Sequence, residues 1–401
     1  MKGHTGDSGA GEWRHGWHTL LWTTAAIASG VGLLTITASY FVKPLQLETG
    51  WSRGEIALGS TLASFCLAGV LPLVGALADR IGTRKIALIS MSVYALLGLL
   101  IQFLPVNLFG YYLFFIAITL SASGTSTVVL AQLVARRFVR WRGTVLGLAI
   151  SGPAILLMGL APFMVRSINE VSWQSGYLIL AAIAIFIGLP SVFLASRKPA
   201  MKEASPGAPI SPAAADLQEG ASFAEAFRSP AYWLLMAGAI LSTIPLGGFL
   251  HQQAALLSDK GPTVAQVGLL ASVYTTAIFA GRTGVGVLLD LLPPPVVVIA
   301  VMCGAAAGSL LLVFGAPTFL TCAIAMWLVG SAMGAEGDIQ AFFIARQFGM
   351  RAFSTIFGSF GTCTVLGFGV GASVFGQLFD LANDYHLALF VAPQFFNYSP
   401  R

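Results

Sequence analysis

Arg282, Glu336 and Asp338 are the residues best able to do chemistry, because each puts an ionisable side chain inside a long apolar stretch. If its stretch is helical, Arg282 stands roughly 13 Å from the end at Leu291. A guanidinium at that depth costs several kcal/mol unless it is paired or lines a wet cavity. Its planar fork of donors fits a carboxylate in bidentate fashion. Arg282 therefore reads as the binding group for an anionic solute, with a helix-fastening ion pair as the alternative. Glu336 and Asp338 fall at a similar depth on another stretch. At a spacing of i and i+2 they point to different sides of a helix, so both cannot face Arg282 equally. Their chemistry is that of a proton-linked or gating carboxylate, and the alternative is a polar pair that only locks helices.

Tyr40, Tyr274 and the cluster Ser121–Thr127 offer neutral hydrogen-bonding groups to a cavity. His251 titrates near physiological pH when unperturbed, although a lone histidine on a membrane helix is more often a packing residue, and Gln252 lies beside it. Lys43 either draws anions to an entrance or snorkels to lipid headgroups. Cys66, Cys303, Cys322 and Cys363 all lie in apolar runs without CxxC or Cys/His spacing, which reads as free thiols and not as a disulfide frame or metal site. No nucleophile–base pair and no GxxxxGK[ST] segment is present. The expectation is a protein that is not an enzyme, needs no cofactor or metal and is not driven by ATP.

These side chains need elements to hold them, and the composition says which. Of 401 residues, 56% are hydrophobic and only 9% are charged, whereas a soluble chain carries about 25% charged residues. Lipid must be the solvent. The net charge of +5 does not point to nucleic acid, because the basic residues sit in short loops where they orient the chain in a bilayer. Apolar runs long enough to span it cover 18–42, 55–78, 86–105, 108–135, 143–165, 174–196, 231–258, 266–291, 295–314, 317–345 and 353–379. With the N-terminus inside, the outer segments hold only Lys43, Arg53, Arg166 and Lys260. Apart from Arg282 and the terminal Arg401, the other basic residues fall on the inner side. After Tyr385 the remaining chain contains Pro393 and reaches roughly 24 Å, short of a ~30 Å bilayer core, so the last helix is expected to be short or truncated.

The segment between Arg197 and Arg228 is the one long polar break and reads as a flexible linker with a short amphipathic piece at Ser222–Phe227. It divides the chain into a six-helix bundle at 1–196, a cytoplasmic linker at 197–228 and a second bundle at 229–401. The halves also echo each other. Gly75-Ala-Leu-Ala-Asp79 ends the second run and Gly286-Val-Leu-Leu-Asp290 ends the eighth, at the offset that separates the first run from the seventh. Parallel repeats of this kind bind substrate between the halves, near the bilayer midplane.

Gly75–Lys85, with Asp79, Arg80, Gly82 and Arg84, resembles the signature loop of the major facilitator superfamily. Further segments resemble its bacterial monocarboxylate and oxalate/formate branch. They are Lys43-Pro44-Leu45 through Gly50-Trp51-Ser52-Arg53, Arg142-Gly143 through Ser151-Gly152, and Ser229-Pro230-Ala231-Tyr232-Trp233. Gly281-Arg282 with Asp290, and Gly334 through Asp338, complete the set. The resemblance implies an all-α membrane protein with two six-helix bundles related by a pseudo-two-fold axis. It implies alternating-access transport of small carboxylates, by proton coupling or exchange, with Arg282 meeting the carboxylate. Asp79, Arg80 and Asp290 would then be gating residues. Asp290 departs from the pattern, because Leu-Leu-Pro-Pro-Pro and no basic residue follows it. Where oxalate-exchanging relatives place a lysine in the eleventh span, this chain has Phe360. One intramembrane cation instead of two favours a monoanion, and Phe360, Thr362 and Cys363 become candidates to line the cavity, each with helix packing as the alternative.

The expectation is a monomeric, multi-pass carrier in the plasma (inner) membrane with its N-terminus in the cytoplasm. Its partners are a small organic anion, protons and the lipid bilayer. The rival readings are a carrier of neutral or amphiphilic compounds in which Arg282 is structural, and a non-transporting receptor or scaffold on a degenerate carrier fold.

Overall fold

The structure, a computed structural model, describes residues 9–103, 107–135, 138, 142–196, 220–349 and 351–389. In lipid a chain must satisfy its N–H and C=O groups within itself, and the apolar runs do so as helices. The first half contains α1 (Gly9–Ala28), α2 (Val31–Thr49), α3 (Arg53–Ile81), α4 (Thr83–Leu100), α5 (Leu108–Ala122), α6 (Thr127–Ala135), α7 (Arg142–Ile150), α8 (Gly152–Glu170), α9 (Trp173–Ile183) and α10 (Leu189–Ala195). The second contains α11 (Phe223–Arg228), α12 (Pro230–Asp259), α13 (Val264–Leu291), α14 (Pro294–Phe314), α15 (Phe319–Phe348) and α16 (Phe353–Ala382). Among the described residues, eleven helical segments are long and apolar enough to cross a membrane, and they coincide with the eleven predicted runs. Leu73, Phe103, Phe109, Phe186 and Phe314 stand exposed on the outside. Such a belt is unfavourable in water and suits lipid.

The turns between spans are short and capped. Ser52 and Glu55 form a reciprocal capping box at the start of α3, and Thr263 and Gln266 do the same for α13. Asn107, Ser172, Ser229 and Thr318 cap α5, α9, α12 and α15 through their side chains.

Several predicted spans of the first half are interrupted. The first breaks at Ser29–Gly30, the fourth at 123–126 and the fifth at Ser151. The breaks in the first and fourth meet, where the Val31 N–H released at the interruption donates to Thr125 Oγ1 at 3.1 Å. Gly30 lies so close to Thr125 that any Cβ there would collide with it.

Three helix pairs join the halves: α3 with α16, α8 with α13, and α2 with α12. Contact is tight toward the end that carries Arg53. There Gly376 backs onto the Arg53 carbonyl, and Thr61 Oγ1 sits 2.6 Å from the Gly369 carbonyl and 2.6 Å from Ser373 Oγ. Further from that end, Gly284 and Gly286 of α13 and Gly358 and Gly361 of α16 have open space beside them. The seam is therefore closed at the Arg53 end.

The final part of the expected linker is not a loose tether. The Ala221 N–H donates to the Phe348 carbonyl at 2.8 Å, Gly220 pairs with Gly349, and a Ser222–Glu225 capping box starts α11. Phe223 and Phe227 pack against Tyr232. The Ser222 N–H held by its carboxylate keeps Glu225 below the usual carboxylate range. Residues 197–219 lie outside the described part of the chain.

Candidate functional site

Arg282 owes its position to a close helix contact. Gly334 on α15 and Gly281 on α13 lie against the opposing backbones at Ile278 and Ser331, so a side chain at either would push the helices apart. The guanidinium is therefore held beside α15, with its side chain 20% exposed. Its Nε is 3.8 Å from Asp338 Oδ2, attractive as a charge contact but beyond hydrogen-bond reach. That Nε is buried with no partner, and the guanidinium makes no hydrogen bond among the described residues. Gly286, one turn further along the same face of α13, has open space beside it.

The two carboxylates go separate ways. Glu336 is buried and accepts from Gln340 Nε2 at 2.6 Å, and Gln340 reaches on to Thr364 of α16 at 3.5 Å. Asp338 is the one near Arg282, and its side chain is 39% exposed. The site thus has a cation with unmet donors and a loosely placed, partly exposed acid. Such an arrangement can take up an anion by exchanging the long contact to Asp338 for short bidentate bonds.

A second arginine site closes the other end. Arg53 is almost fully buried, its side chain 3% exposed, and its Nη2 lies 2.6 Å from Asp259 Oδ2. Its Nε donates to Gln46 Oε1 at 2.9 Å and its Nη1 to Tyr385 Oη at 2.7 Å. The guanidinium also lies 3.7 Å from the centre of the Phe379 ring. The backbone N–H groups of Arg53 and Gly54 donate to the two oxygens of Asp380 at 3.0 and 2.7 Å. Lys43 Nζ reaches Asp259 at 2.8 Å, and the Tyr385 hydroxyl donates to Gln252 Oε1 at 2.9 Å. Burial, the largest influence, holds the Tyr385 phenol above its ordinary range. Lys43, Gln46 and Arg53 come from the first half, and Gln252, Asp259, Asp380 and Tyr385 from the second, so the cluster is a lock across the seam.

Two repeated halves packed in parallel around a seam with one locked end suggest a carrier fold, and residues 21–372 match the Major Facilitator Superfamily. The chain belongs to that superfamily. Among curated proteins it is 25% identical over 256 residues to the fujikurins efflux protein of Gibberella fujikuroi (strain CBS 195.34 / IMI 58289 / NRRL A-6831). That match takes in 60% of this chain and 50% of the relative, so the chain spans about half of that protein's length. Among solved structures it resembles a bacterial homologue of the human lysosomal transporter Spinster, in an inward-facing and unoccupied conformation. The TM-score is 0.71 at 16% identity, over 95% of this chain and 94% of the other. It also resembles the nucleoside transporter NupG, with a TM-score of 0.70 at 14% identity, over 95% and 96% of the two chains. At these identities the likeness speaks for the fold alone.

The candidate residues do not all gather at Arg282 of this facilitator. Tyr40 and Tyr274 come from opposite halves and lie close enough to interact electrostatically. Both are sealed, and neither hydroxyl has a partner. On α13, Tyr274 is about 12 Å from Arg282 toward the lock. Phe360 does not line the cavity. It is buried with Tyr232 and Met236, its ring edge-on to Tyr232 at 5.5 Å, because aromatic packing around the start of α12 claims that face of α16. Thr362 Oγ1 donates to the Gly358 carbonyl on its own helix at 3.2 Å, and Cys363 packs half-buried against the Phe360 cluster. Arg80 is exposed at the end of α3. The side chains of Asp79, Arg142 and Asp290 lie outside the described residues.

Sequence reasoning missed the lock. It treated Lys43 and Arg53 as outer-side basic residues and gave no role to Asp259, Asp380 or Tyr385. The available signal was an acid at the end of each of two spans in the second half, facing bases at the ends of two in the first. Nothing local marks those residues as partners.

Proposed function

We propose that the protein is a secondary active transporter of a small organic anion, most simply a monocarboxylate, working by alternating access with proton coupling or anion exchange. The observation that carries this reading is the Arg282 guanidinium, which has an unmet donor and only a long contact to the partly exposed Asp338. One such cation matches a single negative charge, and an incoming carboxylate would satisfy donors that Asp338 leaves unused. The two-bundle organisation, with halves at 1–196 and 229–401 about the 197–228 segment, supplies the rocking bodies. The distribution of basic residues supports a cytoplasmic N-terminus and a plasma-membrane location. The lock then lies on the outer face, the Arg80 end faces the cytoplasm, and the monomer is the working unit.

The test is a screen of purified protein by thermal shift with short mono- and dicarboxylates at two pH values, followed by counterflow in proteoliposomes. Monocarboxylates are expected to stabilise the protein and exchange, and Arg282→Ala is expected to abolish both effects. Saturable exchange of a neutral compound that survives Arg282→Ala would overturn the anion reading.

The likeness to an efflux protein favours a second reading, export of a neutral or amphiphilic compound with Arg282 as a structural residue. The same counterflow assay separates the two.

A further inference from the structure

Between the Arg53 lock and the level of Arg282 lies a small chamber of ≈ 70 Å³ in the seam, enclosed by α2, α3, α5, α12 and α16. Its walls are apolar except for Thr35, Ser60, Ser64, Thr119 and His251. Where a proton's position is fixed, it points away from the chamber. Thr35 donates to the Val31 carbonyl at 3.0 Å and Ser64 to the Ser60 carbonyl at 2.8 Å. His251 Nδ1 lies 2.8 Å from the Gly247 carbonyl. A carbonyl only accepts, so Nδ1 must carry hydrogen, and in the neutral ring Nε2 is left with a lone pair. Thr119 Oγ1 is buried without a partner, and the Ser60 hydroxyl makes no hydrogen bond among the described residues. The chamber is therefore rich in acceptors and calls for a donor. It is roomy enough to hold water.

No charged side chain lines it. From the surrounding elements, Lys43 of α2, Arg53 of α3 and Asp380 of α16 are engaged in the lock. Arg282 of α13 and Glu336 and Asp338 of α15 form the other site. The remaining titratable groups on these helices are the acids Glu48, Glu55, Asp79, Asp259 and Asp290, the bases Arg80 and Arg346, the phenols of Tyr40, Tyr111, Tyr112, Tyr232 and Tyr274, and the thiols of Cys66, Cys322 and Cys363. None of those whose side chains are described lines the chamber. A positive charge here would have lone pairs around it but no fixed counter-charge.

We propose that this chamber is the proton site of the carrier, with His251 Nε2 as the acceptor. A hydronium ion delivers its proton to the Nε2 lone pair and remains as water, which Thr35 and Ser64 hold with their oxygens. The imidazolium lacks a resident partner, so a solute anion in the same seam balances it, and proton and anion move together. The next residue, Gln252, accepts from Tyr385 in the lock, so a change at His251 reaches the gate through one helical step. This inference rests on the proton-coupled form of the transport reading, and it moves the coupling role from Glu336 and Asp338 to His251.

The test is nitrogen NMR of the full chain in nanodiscs with ¹⁵N-labelled histidine and no solute. His251→Gln assigns the signal by removing it. If that variant does not fold, a chain lacking the other four histidines leaves His251 alone. At high pH the expected spectrum has Nδ1 protonated and Nε2 bare, and Nε2 takes up a proton as the pH is lowered. The opposite tautomer, or a ring that never becomes doubly protonated while the chain stays folded, overturns the proposal. In proteoliposomes, His251→Gln is expected to lose accumulation driven by a pH gradient while keeping counterflow. Gradient-driven accumulation at the unaltered level overturns it as well. The NMR arm needs no solute, so it survives failure of the carboxylate reading. Arg282→Ala, which removes anion binding under that reading, is expected to leave the His251 titration in place.

Discussion

The two buried arginines, Arg53 and Arg282, are treated in opposite ways. Arg53 has its donors matched by Asp259, Gln46 and Tyr385, with an aromatic ring beneath it. Arg282 has one charge contact at 3.8 Å and an orphaned Nε. A buried cation is costly in either place. The lock meets that cost with fixed partners from both halves, whereas the half-exposed site beside α15 leaves it partly unmet. A saturated cation can only be released by moving the elements that hold its partners, and that is how a gate works. An unsaturated one can accept a ligand without any such movement. The difference separates a residue that binds the halves from one available to a solute.

The comparison breaks most visibly at Arg282. Arg282→Ala should remove a contact worth about 2–5 kcal/mol to an anionic solute, roughly two to three orders of magnitude in affinity. Thermal stability without solute should hardly fall, because the residue makes no hydrogen bond to lose. Arg282→Lys should recover part of the affinity through its charge but not the bidentate geometry. Isothermal titration with the best carboxylate from the screen, beside a melting curve, checks both. A large loss of stability without solute would mean that Arg282 is structural after all.

At the lock the order of effects is reversed. Asp259→Ala leaves the Arg53 guanidinium buried without its charge partner, and removing one member of such a pair costs about 3–5 kcal/mol. The cost should fall on the state with the Arg53 end closed, so the variant should shift toward the opposite state. Cysteine accessibility at Gly50 or Gly261, measured in each background, should rise in Asp259→Ala and stay unchanged in Arg282→Ala. Equal accessibility in the two would mean that the cluster does not hold the seam shut.

How much of this was legible from the sequence depended on the range of each signal. The eleven spans were, because hydrophobic length is a local property and lipid enforces helix wherever it occurs. The interruptions at Ser29–Gly30 and 123–126 were not. Gly and Ser hardly change the hydropathy of a run, and the break depends on Thr125 being in place to satisfy Val31. The spacing of Glu336 and Asp338 indicated that only one could face Arg282, but which one required knowing where Gln340 and Thr364 lie. The resemblance made Phe360 a candidate for the cavity with helix packing as the alternative, and the aromatic cluster of Tyr232 that decides for packing comes from another span. The lock was hidden for the same reason, since Arg53 and Asp380 are adjacent only after both halves have folded.

Within the lock a smaller change sharpens the contrast. Tyr385→Phe keeps the ring near Arg53 but removes the hydroxyl that accepts from Nη1 and donates to Gln252. Two hydrogen bonds are lost, one of them to a charged donor, for an expected cost of about 1–3 kcal/mol. The melting temperature should fall less than in Asp259→Ala, and accessibility at the Arg53 end should rise part of the way. An effect as large as that of Asp259→Ala would mean that the tyrosine, and not the ion pair, carries the lock.

Lys43→Met should give the smallest effect. Lys43 pairs with Asp259, but both side chains remain partly exposed, at 28% and 31%. Exposed pairs contribute about 0.2–1 kcal/mol, and salt screens them. Asp259 keeps Arg53 on its other oxygen, so the lock should stay closed. The difference in melting temperature between Lys43→Met and the parent should be small at low ionic strength and vanish near 1 M salt, where the Debye length is about 3 Å. The difference for Asp259→Ala should persist there, because the buried Arg53 contact is poorly screened. If salt abolished both differences equally, Arg53 would be no better shielded than a surface lysine, and its contrast with Arg282 would lose its physical basis.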